Sequence, residues 1–446
     1  MTGRGPHDVL VLSSYKPLPA RLLASELVGR VSVITEPPFA HCYGPGVRVR
    51  TVPSVDDLTA VCQAALAVFA DGPVDAVLAP AEAGIAASGL LRSHYGVQGI
   101  GYQTANACSN KYAMKRALAA AGVPVAAFRP VYRLAEVPRA AAELGWPVVV
   151  KPSFGGGAFN VVELRSPHAF EAFAAGPGSA GLRAQRTPLL VESLVEMTAE
   201  YHCDAVVHEG EPLFAAVSRY HGPVLRTVGA LNGSYPLPET HPDRPAALAL
   251  LREVLAAVGL RSGVAHVELL RTETGLLVGE IACRPPGGGL VEGLALQYGV
   301  DLWQAFLETS LGLPPTLRPR RARRIVANSM LPAKPGRITA ITPAEQLAAL
   351  PGVLRVTMTR RVGDVVDADV YSTSSTGVVL FAVDREEQVP ERLRDLARLY
   401  RLDVAPTEAA TEAPADVSPA DVSPVDVSPV DVSPAGADTG DSVSGR

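Results

Sequence analysis

Two apolar runs, Val264 to Leu270 and Leu276 to Ile281, flank the turn-forming segment Thr272-Glu273-Thr274-Gly275. Their length, β-branched content and bounding glycine predict a β-hairpin. If Glu268 pairs with Glu280, then Glu273, Thr274 and Gly275 form the centre of the connection. Both carboxylates then project from one face. Like charges directly opposite one another destabilise a sheet, so this register calls for a cation. Magnesium, or manganese in its place, takes hard carboxylate oxygens together with nucleotide phosphates. The competing reading is a solvent-facing hairpin whose acids are hydrated. His266 shares the face of Glu268, where a structural hydrogen bond is favoured over metal ligation.

Two further features carry charge chemistry. Val148 to Lys151 reads as a strand running into Pro152-Ser153-Phe154-Gly155-Gly156-Gly157. Glycines let a backbone turn tightly and bring N–H groups close to phosphate oxygens, while a strand end can project Lys151 toward the same charge. The segment lacks the GK[ST] of a P-loop. Arg284 follows Glu280 and enters Pro285-Pro286-Gly287-Gly288-Gly289. There a guanidinium can bridge two phosphate oxygens, against the alternative of a surface arginine.

The N-terminal part alternates short apolar strands (Asp8 to Leu12, Val31 to Ile34, Val74 to Leu78) with helical stretches from Ala20 to Leu27 and from about Ala81. This predicts a parallel α/β layer. No GxGxxG follows its first strand. A helix opens at Asn110-Lys111 and stops at Gly122-Val123-Pro124. Leu189 to Glu192 and His202 to Val207 read as strands, as do Val353 to Met358, Val365 to Val370 and Thr376 to Phe381. A helix runs from Pro390 to Tyr400. These pieces divide the chain into an N-terminal α/β unit at 1–105, a larger region at 106–403, and a tail at 404–446. The tail repeats DVSP from Asp416, Asp421, Asp426 and Asp431. A proline in every five-residue unit forbids a regular helix or central strand, so the tail is expected to be disordered.

The net charge of −5, from 40 Lys+Arg against 45 Asp+Glu, argues against general nucleic-acid binding. The cluster Arg318, Arg320, Arg321, Arg323 and Arg324 lacks interleaved aromatics and reads as a solvated bend. Five cysteines without CxxC spacing read as reduced thiols. With neither a leader-like N-terminus nor a run of about 20 apolar residues, the expected location is the cytoplasm and no membrane is implied.

Four stretches in order resemble the ATP-grasp superfamily, specifically its carboxylate-amine ligase branch of bacterial L-amino acid ligases and carnosine-synthase-like enzymes. They are NKYAMKRALAAAGVP from Asn110, VVVKPSFGGGAFNV ending at Val161, LLVESLVEMTAEYHCDAVVHEG ending at Gly210, and GVAHVELLRTETGLLVGEIACRPPGGG ending at Gly289. The resemblance spans roughly residues 1 to 403. It implies an α/β and α+β fold with an N-terminal parallel domain, a small nucleotide-covering subdomain and a larger catalytic lobe. It also implies ATP as the nucleotide and two small-molecule substrates, a carboxylate and an amine, with amino acids the expected pair and room for a homodimer.

Carried over by position, Lys111 and Lys151 resemble the lysines that contact nucleotide phosphates. Gly155, Gly156 and Gly157 resemble the phosphate-covering loop. Glu192 and Val195 fall in the adenine-side linker, and Glu200 resembles the acid that holds ribose hydroxyls. Glu268 and Glu280 resemble the magnesium ligands, and Arg284 the contact to phosphate and acyl phosphate. Many such enzymes place Asn two residues after the second metal-binding Glu, where this chain has Ala282.

The implied reaction is attack of a carboxylate on the γ-phosphate, giving an acyl phosphate that an amine then captures. A non-amine acceptor, as in carboxylases, and a catalytically weak ATP-binding regulator stand as alternatives. Arg219, Arg226 and Asn232 are weighed as substrate contacts against ordinary loop salt bridges, and the general base is not identified by the sequence.

Overall fold

The computed structural model describes residues 5–367 and 370–406, so the DVSP repeats lie outside the described residues. The N-terminal sheet holds β1 (His7–Ser13), β2 (Val28–Thr35), β3 (Arg48–Thr51) and β4 (Ala76–Leu78), all parallel in the order β3-β2-β1-β4. Its strands are apolar on both sides because both faces are covered. Leu10, Leu12, Ile34 and Val77 pack on the helices Leu58–Ala70 and Ile85–Tyr95. Val9, Val11, Val33 and Leu78 meet Phe306 and Leu307 of the helix Leu302–Ser310, from much later in the chain.

Two helices differ from expectation here. The first ends at Leu23 rather than Leu27, because the chain turns through Ser25 to enter β2 at Val28. The second starts at Ile85, not near Ala81. Gly84 adopts a left-handed conformation (φ 88°) and its N–H donates to Asp56 Oδ1 at 2.9 Å, which fixes the helix start after Ala81-Glu82-Ala83. Those three residues are left as a loop beyond the carboxyl end of β4.

A small antiparallel sheet follows, with β5 (Phe128–Val131), β6 (Val148–Pro152), β7 (Val162–Leu164) and β8 (Leu189–Ser193) in the order β5-β8-β6-β7. Val148, Val150 and Val191 bury one face against Val137, Ala141 and Phe170 from the helices Val137–Leu144 and Pro167–Ala175.

The large sheet takes β9 (Ala199–His208), β10 (Glu211–Tyr220), β11 (Asn232–Pro236), β12 (Gly263–Thr272), β13 (Gly275–Ala282) and β14 (Ile325–Pro332). The C-terminal strands are β15 (Gly336–Ile341), β16 (Val353–Met358), β17 (Val365–Val366), β18 (Ser375–Val383) and β19 (Leu402–Ala405). Together they make an eight-stranded antiparallel sheet, β13-β12-β9-β10-β11-β14-β18-β16, and a three-stranded one, β17-β15-β19. β17 is shorter than the expected Val365 to Val370, of which Ala368 and Asp369 lie outside the described residues.

Alternation along β9, β12 and β13 sorts this sheet into two faces. Tyr201, Cys203, Ala205, Val267, Leu269 and Ile281 pack against Leu251, Val254 and Leu255 of the helix Arg244–Val258. Each such aliphatic side chain contributes roughly 1.5–3 kcal/mol by leaving water. The opposite face carries Glu200, His202, Asp204, His266, Glu268 and Glu280, which are cross-strand neighbours.

The β12–β13 hairpin pairs Glu268 with Glu280, as the opposed-carboxylate register requires, but by another route. Thr272 pairs with Gly275, so the turn has two central residues, Glu273 and Thr274, instead of three. Continued without interruption, that register would set Glu280 opposite Val267 and turn it into the core. A bulge at Gly279, between the Leu269–Val278 and Glu268–Glu280 pairs, restores the face. Deleting Gly279 is therefore expected to abolish cooperative thermal unfolding or ATP turnover. Gly279→Ala, whose added Cβ meets nothing closer than 3.5 Å, should melt close to the parent, and a deletion variant with parental melting and turnover would refute this role of the bulge.

Candidate active site

Lys111 opens the helix Lys111–Ala120, which starts here because the Asn110 side chain accepts from the N–H groups of Tyr112 and Ala113 at 3.0 and 3.2 Å. Its own N–H donates to Ser153 O at 2.8 Å, tying the helix to the end of β6. The Lys111 ammonium bonds Gly155 O and lies 3.1 Å from Glu280 Oε1. One side chain thus joins the glycine loop to the acidic hairpin.

Lys151, on β6, lies 2.8 Å from Glu192 Oε1, and Lys115 lies 3.2 Å from Glu192 Oε2. Lys115 is 1% exposed and was missed in the sequence. Its signal was the four-residue spacing from Lys111, which puts both lysines on one helix face. Burial acts to raise the Glu192 carboxyl, but Lys151 and Lys115 outweigh it and hold it below its ordinary value. For Lys115 burial prevails and lowers the ammonium. The linker residue Val195 is half-buried between β8 and β9, in a segment tied by Leu194 N–H to Pro147 O at 3.0 Å and by Thr198 N–H to Arg271 O at 2.7 Å.

Gly155 and Gly157 sit at φ 99° and 68°, a region that only glycine enters freely. The loop rests on the 371–374 turn, where Ser372 N–H donates to Gly157 O at 3.0 Å and Phe159 stacks edge-on to Tyr371 at 4.9 Å. On its other side Gly156 approaches the Glu82 side chain.

On the polar face of the large sheet, Tyr220 donates to Glu268 Oε1 at 3.1 Å and His266 Nε2 lies 3.7 Å from the same oxygen. Burial pushes the Glu268 carboxyl up, yet these bonds and the His266 charge hold it well below the carboxylate range. His202, Asp204 and His266 place three ligand-type atoms within 4.8 Å of one another. Asp204 Oδ2 is 2.7 Å from His202 Nδ1, its Oδ1 is 2.8 Å from His266 Nδ1, and His202 Nε2 is 2.8 Å from Ser234 Oγ. These atoms already satisfy one another, so the group reads as a buried brace behind Glu268.

Glu200 accepts the Val224 N–H at 2.8 Å. Burial, with Glu268 beside it, raises its carboxyl to about 8. The folded protein then holds a proton that the unfolded chain releases near the ordinary carboxylate value, and stability of the ligand-free protein falls as pH rises through that window to about 8. Glu200→Gln is expected to flatten this slope in urea unfolding at stepped pH; a slope identical to the parent's would contradict it.

Arg284 is held by Glu82, its Nε donating to Glu82 Oε2 at 2.9 Å and its NH1 to Pro285 O at 3.1 Å. Glu82 belongs to the loop read as helix in the sequence. Of the other substrate-contact candidates, Arg226 lies 3.6 Å from Glu163 and Asn232 is buried with its Oδ1 on Gly233 N–H. Arg219 pairs across from Tyr201 and Tyr235, on the side away from Glu268. Ala282 is buried opposite His266. Among the described residues no helix is long and apolar enough to cross a membrane.

Residues 329–405 match the model of the L-amino acid ligase C-terminal domain 2 family. Over 401 residues the chain is 33% identical to an L-arginine-specific L-amino acid ligase of Bacillus subtilis, covering 88% of this chain and 97% of that protein. Among solved structures, the L-amino acid ligase from Bacillus licheniformis is similar with a TM-score of 0.73 at 19% identity, covering 90% of this chain and 100% of that one. Carboxyaminoimidazole ribonucleotide synthase from Aspergillus clavatus, complexed with ATP, is similar with a TM-score of 0.65 at 20% identity, covering 88% and 98%. The chain belongs to the L-amino acid ligase family of the ATP-grasp superfamily, and it is an ATP-dependent ligase.

Proposed function

We propose that this ligase forms an amide bond through an acyl phosphate, acting on amino acids or a natural-product intermediate. The observation that carries the reading is the pair Glu268 and Glu280, opposed on one sheet face and flanked by Lys111. Two hard carboxylates with lysines for the accompanying phosphates fit magnesium, or manganese in its place. Glu268 and Glu280 would hold the ion, and when bound it supplies positive charge to the phosphate oxygens. Ala282 adds no ligand.

Lys111 and Lys151 would exchange their present carboxylate partners for ATP phosphates, with the Gly155–Gly157 loop over them and Glu200 toward the ribose. Glu192 and Val195 border the adenine side. The donor carboxylate attacks the γ-phosphorus and ADP leaves. Arg284 faces the charge that develops on the transferred group. A neutral amine then attacks the carbonyl carbon, and the tetrahedral adduct collapses to the amide and phosphate. Loop closure keeps water from the acyl phosphate. An ATP-consuming reaction and five free thiols suit the cytoplasm.

The test is incubation with Mg-ATP and pooled amino acids. We expect ADP and an amide product by mass spectrometry; ADP release unaffected by any amino acid, with no ligated product, would defeat the reading.

A further inference from the structure

The helix Ile85–Tyr95 carries Ile85, Ser88 and Arg92 at spacings of three and four, which set them in one buried line. Ile85 and Ser88 suit an interior. Arg92 brings a charge into the same row, with only 7% of it exposed. Its Nε and NH2 donate to Val77 O at 3.0 and 2.6 Å, and its NH1 donates to Ile100 O at 2.8 Å. Two of its five N–H groups are left over. Carbonyl oxygens satisfy donors without cancelling the charge, and among the described residues no carboxylate pairs with this guanidinium. Burial lowers its pKa to about 10, so it stays ionised at neutral pH. A buried ionised group is costly unless an opposite charge accompanies it.

Arg92 lines a cavity at the junction of the N-terminal unit, the start of β12 and the helix Leu302–Ser310. Ser262, just before β12, and Ser310, at the end of that helix, bring half-buried hydroxyls to its wall. Ser262 Oγ lies 3.4 Å from His208 Nδ1, a separation at which its proton is free to turn inward. Ser88 and Thr309 also border the space, but their protons go to Ile85 O at 2.8 Å and Ala305 O at 2.7 Å. Ala79, Ile85 and Phe306 add apolar wall. The centre of a water-sized body has about 20 Å³ of room there, which suits one water or one monatomic ion and excludes phosphate, sulfate or a carboxylic acid. A water leaves the charge of Arg92 uncompensated. A halide ion does not, and the spare N–H groups and two hydroxyls are the donors an anion takes.

We propose that this cavity is a binding site for a single halide ion, chloride first, held by Arg92 together with Ser262 and Ser310. The site stands independently of the ligase reading. Arg92 belongs to the N-terminal unit, and both serines belong to the region that carries the large sheet. The ion therefore joins the two across their junction, and its effect falls on the stability of that junction rather than on a bond-making step. It approaches the active site only through Cys283, which borders the cavity one residue before Arg284.

Crystals of the full chain grown with sodium bromide, measured at the bromine absorption edge, should show an anomalous peak beside the Arg92 guanidinium. In solution, thermal unfolding is followed as chloride replaces isethionate, an anion too large for the cavity, at constant ionic strength and pH. The melting temperature should rise by about 1–3 °C and then level off, as binding of one ligand to the folded state requires. The double variant Ser262→Ala, Ser310→Ala keeps the guanidinium and should raise the half-saturating chloride concentration by roughly tenfold or more, the scale of a lost hydrogen bond to a charged group. Arg92→Met should lose the saturable rise altogether; if it fails to fold, the serine variant carries the test. A cavity without a bromine peak holds water, and the proposal falls. A peak in the crystal with no saturable rise in solution is binding at crystal concentration only and overturns it too, as does a rise that the variants leave unchanged.

Discussion

Arg284→Lys is expected to lose about a hundredfold to a thousandfold in kcat/KM for acceptor-dependent ADP release, the scale of removing one directed donor from developing negative charge. The substitution keeps the positive charge, so Glu82 is not left alone. What it removes is the planar fork. In the structure that fork bonds Glu82 through Nε and Pro285 O through NH1, which orients the remaining donors. Burial acts to lower the Arg284 pKa, but the Glu82 charge outweighs it, so the guanidinium stays ionised. A lysine is a flexible point charge and cannot reproduce the geometry. The measurement is steady-state kinetics beside urea unfolding, with the loss in rate and a stability within about 1 kcal/mol of the parent. A variant with parental kcat/KM would remove Arg284 from the site.

Glu192→Gln should be the most destabilising single change at the site, by about 3–5 kcal/mol. Lys115 and Lys151 both lean on this carboxylate at 3.2 and 2.8 Å, and all three side chains are largely buried. Removing the anion leaves two ammonium groups without compensation in a low-dielectric setting. A second substitution, Lys115→Met, takes away one of those charges at similar volume and should recover part of the loss. Urea unfolding of the two single variants and the double variant forms the cycle. If Glu192→Gln unfolds like the parent, the three groups are hydrated and the buried triad is wrong. The triad also gives Glu192 a role beyond the linker position that the resemblance implies, since it joins Lys115 and Lys151 in one buried cluster.

The hairpin was legible because strand alternation is local. Glu268 and Glu280 sit in runs whose apolar partners are spaced by two, and the register that sets these two carboxylates opposite one another is the one the structure shows. The bulge at Gly279 was not legible, since a glycine within a strand is compatible with several backbone paths. The helix at Lys111 could be read from its Asn110 cap, whereas Lys115 carries no motif of its own and joins the site only because β8 brings Glu192 against it. Glu82 was hidden for a related reason. Ala81-Glu82-Ala83 favours a helix by composition, and the hydrogen bond from Gly84 to Asp56 that holds it out of one depends on a residue 28 positions earlier. Tyr220 lies on a strand that has no distinctive pattern of its own, and it enters the site because β10 joins β9. What escaped the sequence is thus mostly polar side chains whose partners are distant in the chain.

The central claim is that a carboxylate is activated by direct transfer of the γ-phosphate. It is tested most directly by supplying the donor amino acid with both carboxylate oxygens as ¹⁸O and following the label by mass spectrometry. Attack on the γ-phosphorus followed by aminolysis sends one ¹⁸O into the released phosphate and leaves one in the amide. Phosphate released without label, or label appearing in AMP, would contradict it.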